Sequence, residues 1–299
     1  ERGRRRAARH RRQGPGGAEG PLAHHHRLGV PGRSRPARLR HGAHRELRAR
    51  QQQRDGKIDE LIFIEGLRLC EEAQRSDLEI EAVIVSEELL RKERAAHAIA
   101  ELSRVSKRTA SVSEKLLESI SYTKTPQGIV VLAHRPDSSQ ERLNASLTGN
   151  SLLVVLHQIN NPVNVGAILR TAEAAGATGV ITTMNTSDPF SPKSLRGAMG
   201  SAFRLPIWSG PSYDAVIAWC SERGVTTVCA DVEADTNYTD LDWTKASALL
   251  LGPESTGFTA EELLQADQKV RIPMKGSAES LNVSVAAGIL LFEAARQRA

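Results

Sequence analysis

The chain has 299 residues, of which 40% are hydrophobic and 4% aromatic, so it is long enough to bury one large core or two ordinary ones without disulfide or metal support. It contains no run of 18 apolar residues, and the sequence therefore predicts no membrane-spanning helix. The net charge of +5 is uneven: residues 1–56 hold 16 arginines, no lysine and four acidic residues, which gives +12, whereas the 24 basic and 31 acidic residues that follow give −7. An acidic partner of this second part must meet a local basic patch.

Residues 1–56 lack the apolar side chains of a folded domain, and we expect a disordered tail there. They contain no Phe, Trp, Tyr or Ile and are rich in Arg, Gly, Pro, Ala and His, a composition that cannot offset the entropy cost of ordering. Three interpretations stay open: a basic arm that touches nucleic acid, a mitochondrial transit peptide, or codons translated outside the true reading frame.

The cysteines and histidines predict neither a disulfide framework nor a metal site. Cys70, Cys220 and Cys229 form no CxxC pair, and so sparse and odd a number is typical of a reducing intracellular compartment. We therefore expect a cytoplasmic protein without bound metal, or a mitochondrial protein if the tail is a transit peptide.

Residues 57–135 are predicted to form a small α/β domain. The apolar residues between Ile58 and Cys70 have the spacing of a helix that ends near Ser76. A charged helix is expected in the middle of the domain. The remaining predicted elements are a short helix at 111–120 and strands at 80–87 and 127–134. The segment 136–150 is polar and rich in turn formers, which predicts a linker.

Residues 151–299 alternate apolar strands with helices, a pattern that predicts a parallel sheet covered on both faces. The predicted strands lie at 151–156, 179–183, 205–209, 225–230, 247–252 and 269–274. The predicted helices lie at 163–175, 191–201, 212–223, 259–265 and 282–298. In such sheets the ligand lies beyond the carboxyl ends of the strands.

Common nucleotide-binding and nucleophile motifs are missing from the sequence. It has no GxGxxG, no GxSxG, and the phosphate-loop spacing at 252–258 has Phe258 in the place of the required lysine. Three segments rich in Asn, Gly, Pro, Glu and Ser remain, each directly after a predicted strand. They are NNPVNVGAILRTAEAAGA (160–177), LLLGPESTGF (249–258) and IPMKGSAESLNVSVAAGILLFEAAR (272–296).

In order and spacing these segments resemble the three signature motifs of the SpoU (TrmH-like) RNA 2′-O-ribose methyltransferases of the SPOUT superfamily. SPKSLRGAMGSAFRLPI (191–207) is similar to the segment between the first two motifs, and FIEGLRLCEEA (63–73) resembles part of the L30e-like substrate-binding domain that many members carry. The resemblance implies an α/β fold with a parallel-sheet SPOUT domain at 151–299. It also implies a deep trefoil knot, S-adenosylmethionine as cofactor and a homodimer.

The resemblance also implies roles for five polar residues. Arg170 would clamp a phosphate or the developing 2′-alkoxide, because arginine is a poor base; a surface salt bridge is the alternative. Asn164 would position the substrate or support Arg170, and Glu254 would hold the geometry of the site. Ser280 and Asn282 would line the methyl-transfer site. An asparagine or serine at these places is also a natural helix N-cap.

Backbone groups and apolar side chains are expected to bind the cofactor, because adenine recognition requires no charge. The expected cofactor residues are Ala230, Leu251, Gly252, Gly257, Ile272, Met274 and Leu281.

RNA binding must come from local basic residues, each of which is alternatively a solvated charge. The candidates are Arg68, Lys124, Lys193 and Arg196.

The sequence thus predicts an S-adenosylmethionine-dependent RNA 2′-O-methyltransferase that acts on ribosomal RNA. Transfer RNA is the alternative substrate. A non-catalytic RNA-binding or ribosome-assembly factor of the same fold is the alternative function.

Overall fold

The computed structural model describes residues 61–299, and its first element is a strand where the sequence predicted a helix. Strand β1 (Leu61–Glu65) ends at Gly66, whose φ of 100° lies in the left-handed region that favours glycine. Helix α1 (Leu67–Gln74) begins directly afterwards. The predicted helix is therefore wrong over residues 61–65 and correct over α1. The predicted disordered tail and its three interpretations lie outside the described residues.

The N-terminal sheet is mixed and has four strands in the order β1-β4-β2-β3. Its other strands are β2 (Ile80–Ser86), β3 (Arg108–Val112) and β4 (Ile129–His134). Its other helices are a short 3₁₀ helix (Leu89–Arg91), α2 (Glu93–Val105) and α3 (Glu114–Ile120). Strand β4 is antiparallel to β1 and β2, and β3 is parallel to β2. The two predicted strands are confirmed, whereas β3 is an edge strand that the sequence pattern missed.

Residues 136–150 contain a helix, α4 (Gln140–Ser146), where we expected only a linker. The Ser139 side chain caps it by accepting a hydrogen bond from the Arg142 backbone. One residue, Leu143, is completely buried among side chains of the C-terminal sheet. A single apolar anchor is enough to dock this polar helix, and it leaves no periodic pattern in the sequence.

The C-terminal sheet has six parallel strands in the order β10-β8-β9-β5-β6-β7. They are β5 (Leu152–Leu156), β6 (Gly179–Thr182), β7 (Ile207–Ser209), β8 (Thr226–Ala230), β9 (Ser247–Leu251) and β10 (Gln268–Val270). All residues of β5 and β9 are buried, as expected for central strands covered on both faces. The predicted parallel sheet is confirmed, although β10 ends at Val270 and residues 272–274 lie in a loop.

Six helices accompany this sheet close to the predicted positions. They are α5 (Pro162–Ala174), α6 (Pro192–Ala198), α7 (Ser201–Arg204), α8 (Tyr213–Glu222), α9 (Ala260–Gln265) and α10 (Val283–Arg298). Helices α5 and α6 touch through their backbones, because a Cβ atom on Gly166 would lie 2.3 Å from the Ser194 carbonyl oxygen and 2.9 Å from the Gly197 Cα.

Helix α10 is buried on one face only, although most of its residues are apolar. Ala287, Leu290, Leu291 and Ala294 are buried, but Val285 and Phe292 are about half exposed. These two are seven residues apart and lie on the same face of the helix. Within residues 61–299 no helix combines the length and hydrophobicity needed to cross a bilayer.

Two hydrogen-bonded pairs of charged side chains join the elements of the two sheets. Arg135, after β4, binds both carboxylate oxygens of Asp188 at 2.9 and 2.6 Å. Arg204, at the end of α7, donates to Glu72 on α1 at 2.7 Å. The Arg135 pair is bidentate, and such a pair restricts orientation as well as separation; the single hydrogen bond of Arg204 adds a second connection between the two sheets.

Candidate active site

The loops that follow β8, β9 and β10 contain most of the predicted cofactor residues. These three strands are neighbours and parallel, so their carboxyl ends lie at one edge of the sheet. Ala230 is half-buried at the end of β8, and Leu251 is buried at the end of β9. The amide of His157, directly after β5, donates to the Leu251 carbonyl at 2.9 Å. The loops that follow these strands therefore start at one edge of the sheet, where ligands of α/β folds bind.

Asn164 and Asn282 meet across the ends of two helices. Asn164 is 6% exposed in the first turn of α5, and its Oδ1 accepts a hydrogen bond of 3.4 Å from Asn282 Nδ2. The N-cap of α5 is Asn161, which is followed by Pro162 at the start of the helix. The N-cap interpretation of Asn164 is therefore wrong.

Asn282 is the N-cap of α10, as one of the two interpretations expected. Its Oδ1 accepts hydrogen bonds from the Ser284 backbone at 2.9 Å and from Ser284 Oγ at 2.6 Å. Its Nδ2 is free to reach Asn164, so capping and the pairing use different atoms. Asn164 Nδ2 is buried without a hydrogen-bond partner. A buried amide nitrogen without a hydrogen-bond partner costs folding free energy unless a bound ligand accepts a hydrogen bond from it.

The loop 252–258 is shaped by two glycines and one phenylalanine. A Cβ atom on Gly252 would lie 2.7 Å from the Phe258 ring, so only glycine fits under that ring. Gly257 has a φ of 65°, and its amide donates to the Pro253 carbonyl at 3.0 Å. Glu254 is exposed on this loop, where its carboxylate faces solvent rather than a structural partner.

His157 anchors this loop, and the sequence analysis gave it no role. It is 3% exposed, and its ring stacks on Phe258 with centroids 5.7 Å apart and an interplanar angle of 8°. Nε2 lies 2.9 Å from Glu262 Oε1 and Nδ1 lies 3.1 Å from Thr183 Oγ1. The T-x-x-E spacing of Thr259 and Glu262 is the only local signal that could have indicated this cluster.

Glu262 binds both the histidine and the start of α9. The Thr259 side chain and the Glu262 carboxylate form a capping box at the helix start. Burial raises the pKa of Glu262, but hydrogen bonds from Thr259 and the proximity of His157 outweigh it and hold the pKa below its usual value. The carboxylate form therefore persists and fixes the end of the 252–258 loop.

The loop between β10 and α10 presents apolar side chains to solvent. Ile272 and Leu281 are half-buried, Met274 is 36% exposed, and Ser280 is exposed. Ile272 packs against the main core, which fixes the start of the loop. An exposed apolar surface beside backbone polar groups suits an adenine ring.

Arg170 lies apart from the asparagine pair. Six residues along α5 place it about 240° around the helix from Asn164. It is exposed and lines a cleft of about 610 Å³ between α5, α7 and α1. Within residues 61–299 its guanidinium group forms no hydrogen bond or ion pair. The salt-bridge alternative therefore finds no support in the described part of the chain.

The four predicted RNA-binding residues are divided between two places. Arg68 is exposed on α1 and lines the same cleft as Arg170. Lys124 and Lys193 are exposed elsewhere. Arg196 is half-buried on α6, with Nη1 4.0 Å from the buried carboxylate of Glu65. Its position between the two sheets indicates a structural role at least as much as an RNA contact.

Metal-ligating side chains do not cluster in residues 61–299: no group of three or more His, Cys, Asp or Glu is placed to hold an ion. The three cysteines are free and buried, and burial raises the pKa of Cys220 and Cys229 to about 12. Such thiols are inert rather than nucleophilic.

Comparison with known proteins identifies two family matches along the chain. The SpoU rRNA Methylase family matches residues 151–292. The MRM3-like substrate binding domain matches residues 43–131. The first match lies within the predicted domain at 151–299, whereas the second begins at residue 43, inside the segment 1–56 predicted as a tail, and ends within the predicted domain at 57–135.

Two relatives of known name have sequences similar to this chain. A 23S rRNA (uridine(2479)-2′-O)-methyltransferase of Streptomyces viridochromogenes is 34% identical over 194 residues, which cover 63% of this chain and 67% of the relative. A 23S rRNA (guanosine(2553)-2′-O)-methyltransferase of Bacillus subtilis (strain 168) is 31% identical over 233 residues, or 77% of this chain and 87% of the relative.

A solved structure shares the fold. The SpoU methyltransferase AviRb from Streptomyces viridochromogenes, in complex with the cofactor AdoMet, superimposes with a TM-score of 0.75 and 27% sequence identity. The superposition covers 86% of this chain and 98% of that structure. Both the N-terminal sheet and the C-terminal sheet therefore have counterparts in a methyltransferase that binds this cofactor.

Proposed function

This chain belongs to the SpoU rRNA methylase family, and from that membership we propose that it transfers the methyl group of S-adenosylmethionine to a ribose 2′-hydroxyl of ribosomal RNA. The observation that carries the proposal is that this chain matches a 23S rRNA 2′-O-methyltransferase over 87% of that relative's length. The 23S rRNA specificity of the relatives favours ribosomal RNA over transfer RNA as the substrate.

The residues at the edge of the C-terminal sheet fit the cofactor. A buried, unpartnered amide at Asn164 and an exposed apolar loop at Ile272 and Met274 lie beyond parallel strands. We assign cofactor binding to the ends of β8 and β9 and to the loops after β9 and β10. The assigned residues are Ala230, Leu251, Gly252, Gly257, Ile272, Met274 and Leu281. When bound, S-adenosylmethionine supplies an electrophilic methyl group on a sulfonium centre.

Polar residues of the three motifs would orient the ribose and stabilise the charge that develops on its oxygen. An in-line displacement requires alignment of the 2′-oxygen and compensation of the emerging alkoxide. Asn164 and Asn282 provide amide groups held by one another, and Ser280 adds a hydroxyl two residues earlier. Arg170, which faces a separate cleft, would clamp a phosphate of the same RNA, and Glu254 would hold the loop or contact the ribose.

The domain organisation follows from the same proposal. Residues 57–135 would bind the RNA, 136–150 would connect, and 151–299 would carry out methyl transfer. Arg68, Lys124 and Lys193 are exposed cations that suit phosphate contacts. Arg196, beside Glu65, would contribute more to the joint between the sheets.

A homodimer with a knotted C-terminal region completes the proposal. The exposed apolar residues Val285 and Phe292 on one face of α10 support a contact with a second copy. Light scattering of the purified chain should report twice the monomer mass, and a fully active monomer would contradict the dimer. The three free cysteines support a reducing compartment such as the cytoplasm.

The deciding experiment uses the full chain, radiolabelled S-adenosylmethionine, and unmodified ribosomal and transfer RNA in separate reactions. Label in ribosomal RNA that survives alkali within a dinucleotide would establish ribose methylation, because a 2′-O-methyl group blocks cleavage of the adjacent bond. Label in transfer RNA alone would establish the alternative substrate. Cofactor binding without label in either RNA would favour a non-catalytic RNA-binding factor.

A further inference from the structure

The cleft that contains Arg170 is built from both sheets' helices. Its volume is about 610 Å³, and it is lined by residues of α1, α5 and α7. Arg68 comes from α1, Arg75 directly follows the last residue of α1, and Arg170 comes from α5. Arg204 and three glutamates, Glu71, Glu72 and Glu173, line the same cleft. Arg75 pairs with Glu72 at 3.3 Å, so Arg68 and Arg170 are the guanidinium groups left to attract an anionic ligand.

Arg204 ties together the two helices that carry these arginines. Its Nη1 donates to Glu72 Oε2 on α1 at 2.7 Å. Its Nη2 donates to Glu173 Oε2 on α5 at 2.9 Å, and its Nε also donates to Glu173. Glu173 is one helical turn after Arg170, and Glu72 is one turn after Arg68. The bridge therefore fixes the distance between the two helix segments.

Neighbouring residues hold the Arg204 bridge to Glu72 and Glu173 in place. Ser201 Oγ donates to Glu173 Oε2 at 2.6 Å, which orients that carboxylate for Arg204. Hydrogen bonds from Arg204 hold the pKa of Glu173 below its usual value. Gly200 leaves the necessary room, because a Cβ atom there would lie 2.8 Å from Glu72 Oε2 and 2.9 Å from Arg204 Nη1.

The side chains of Arg68 and Arg170 make no polar contacts within the described part of the fold. Within residues 61–299 neither forms a hydrogen bond or an ion pair, although both line the cleft. Arg204 has the opposite character, since two carboxylates occupy its donors. One arginine therefore sets the geometry, and two others are left to bind a ligand.

We propose that Arg204 is a positioning residue for the RNA substrate: through Glu72 and Glu173 it fixes the spacing of Arg68 and Arg170, which together receive backbone phosphates of the RNA strand as it crosses from α1 to α5. This inference rests on the proposed function, because it takes RNA as the ligand of the cleft. It adds that RNA binding depends on the spacing of Arg68 and Arg170 as well as on their charge.

The test separates geometry from charge through the sign of the effect. Glu72→Gln removes a negative charge from the cleft, so electrostatics alone predicts tighter RNA binding. Loss of the bridge predicts weaker binding instead. Arg204→Lys keeps the positive charge but loses the planar fork that reaches two carboxylates. Glu71→Gln is the matched control, because Glu71 lines the same cleft and does not bind Arg204.

Filter binding of an unmodified 23S rRNA transcript to the full-length variants measures affinity, and calorimetry measures S-adenosylmethionine binding. We expect Glu72→Gln and Arg204→Lys to weaken RNA binding about fivefold or more with unchanged cofactor affinity, and Glu71→Gln to bind RNA at least as tightly as wild type. The inference is overturned if Glu72→Gln behaves like Glu71→Gln, or if Arg204→Lys binds like wild type.

The same measurements distinguish this inference from the proposed function. A wild-type chain that binds the transcript without methylating it overturns the proposed function and leaves the affinities to decide the role of Arg204. A wild-type chain that binds no ribosomal RNA overturns both.

Discussion

The Asn282 amide group donates to the Asn164 side chain over 3.4 Å, although the two residues are 118 positions apart in the chain. The contact joins the first turn of α5 to the first residue of α10 and thereby connects the first and third sequence motifs. Each asparagine is fixed by its helix, so the pair is held in place before any ligand binds, as a preorganised site requires.

Substitution of Asn282 separates its two roles. Asn282→Ser keeps an efficient N-cap but loses the amide that reaches Asn164, so we expect it to be more stable than Asn282→Ala and to methylate RNA at least about tenfold more slowly than wild type. Asn282→Ala loses both and should also lose about 1 kcal/mol of unfolding free energy. Urea unfolding and methyl-transfer rates measure the two effects. Full activity of the serine variant would show that the amide is dispensable.

Substitution of Arg170 should affect chemistry without affecting the fold. Arg170 is exposed and has no hydrogen bond or ion pair within residues 61–299, so Arg170→Ala should unfold at the wild-type temperature. Methylation should be abolished, and affinity for S-adenosylmethionine should stay within about tenfold, or about 1.4 kcal/mol.

The matched control for that prediction is Arg104→Ala, which removes an exposed arginine paired with Glu101 on α2. It should retain its methylation rate. Near wild-type turnover of Arg170→Ala would remove Arg170 from the catalytic step.

The contact between Gly252 and Phe258 predicts a steric defect. In Gly252→Ala the new methyl group would lie 2.7 Å from the ring, and such overpacking costs on the order of 1–3 kcal/mol. We expect cofactor affinity to fall with stability, because the whole 252–258 loop must shift. Gly149→Ala is the control, since a Cβ there meets nothing within 4 Å. Calorimetric titration with unchanged affinity in Gly252→Ala would exclude this loop from the cofactor site.

Acid should weaken the fold partly through Glu173. Hydrogen bonds from Arg204 lower the pKa of Glu173 from its ordinary value of 4.5. A lowered native pKa means that the carboxylate stabilises the fold above about pH 4.5 and that this contribution is lost as the pH falls through the native pKa. Melting temperatures measured from about pH 6 to about pH 3 should therefore fall less steeply in Glu173→Gln than in wild type.

A fair comparison for the acid effect is Glu222→Gln, whose carboxylate is 75% exposed beside Arg223. Its melting temperatures should follow the wild-type slope. Identical slopes for all three proteins would show that the Glu173 pair contributes nothing to acid sensitivity.

Sequence patterns predicted the C-terminal sheet well because its strands are continuous apolar runs. They failed at β1, where residues 61–65 fit a helical period as well as a strand and pairing with β4 decides between the two. They failed at β3, whose sequence RTASV has few buried side chains, and at α4, which a single leucine anchors. In each case the deciding contact is distant in the chain.

The site was predictable to the level of its motifs but not of its geometry. Asn164 and Asn282 were both expected in it, yet nothing in the sequence indicates that they bind one another. His157 was missed because its partners Phe258 and Glu262 are about a hundred residues later. Arg170 was expected beside Asn164, whereas the helical period directs it to a different cleft.

The backbone contact of Gly166 with Gly197 fixes helices α5 and α6 to each other. Since no side chain lies between the two glycines, rotamer changes cannot absorb a displacement of one helix, and α5 and α6 must travel as one body. Arg196 is one residue from the contact on α6, and Asn164 is two residues from it on α5. A displacement of α6 therefore also moves the first turn of α5, which contains Asn164 and its contact with Asn282.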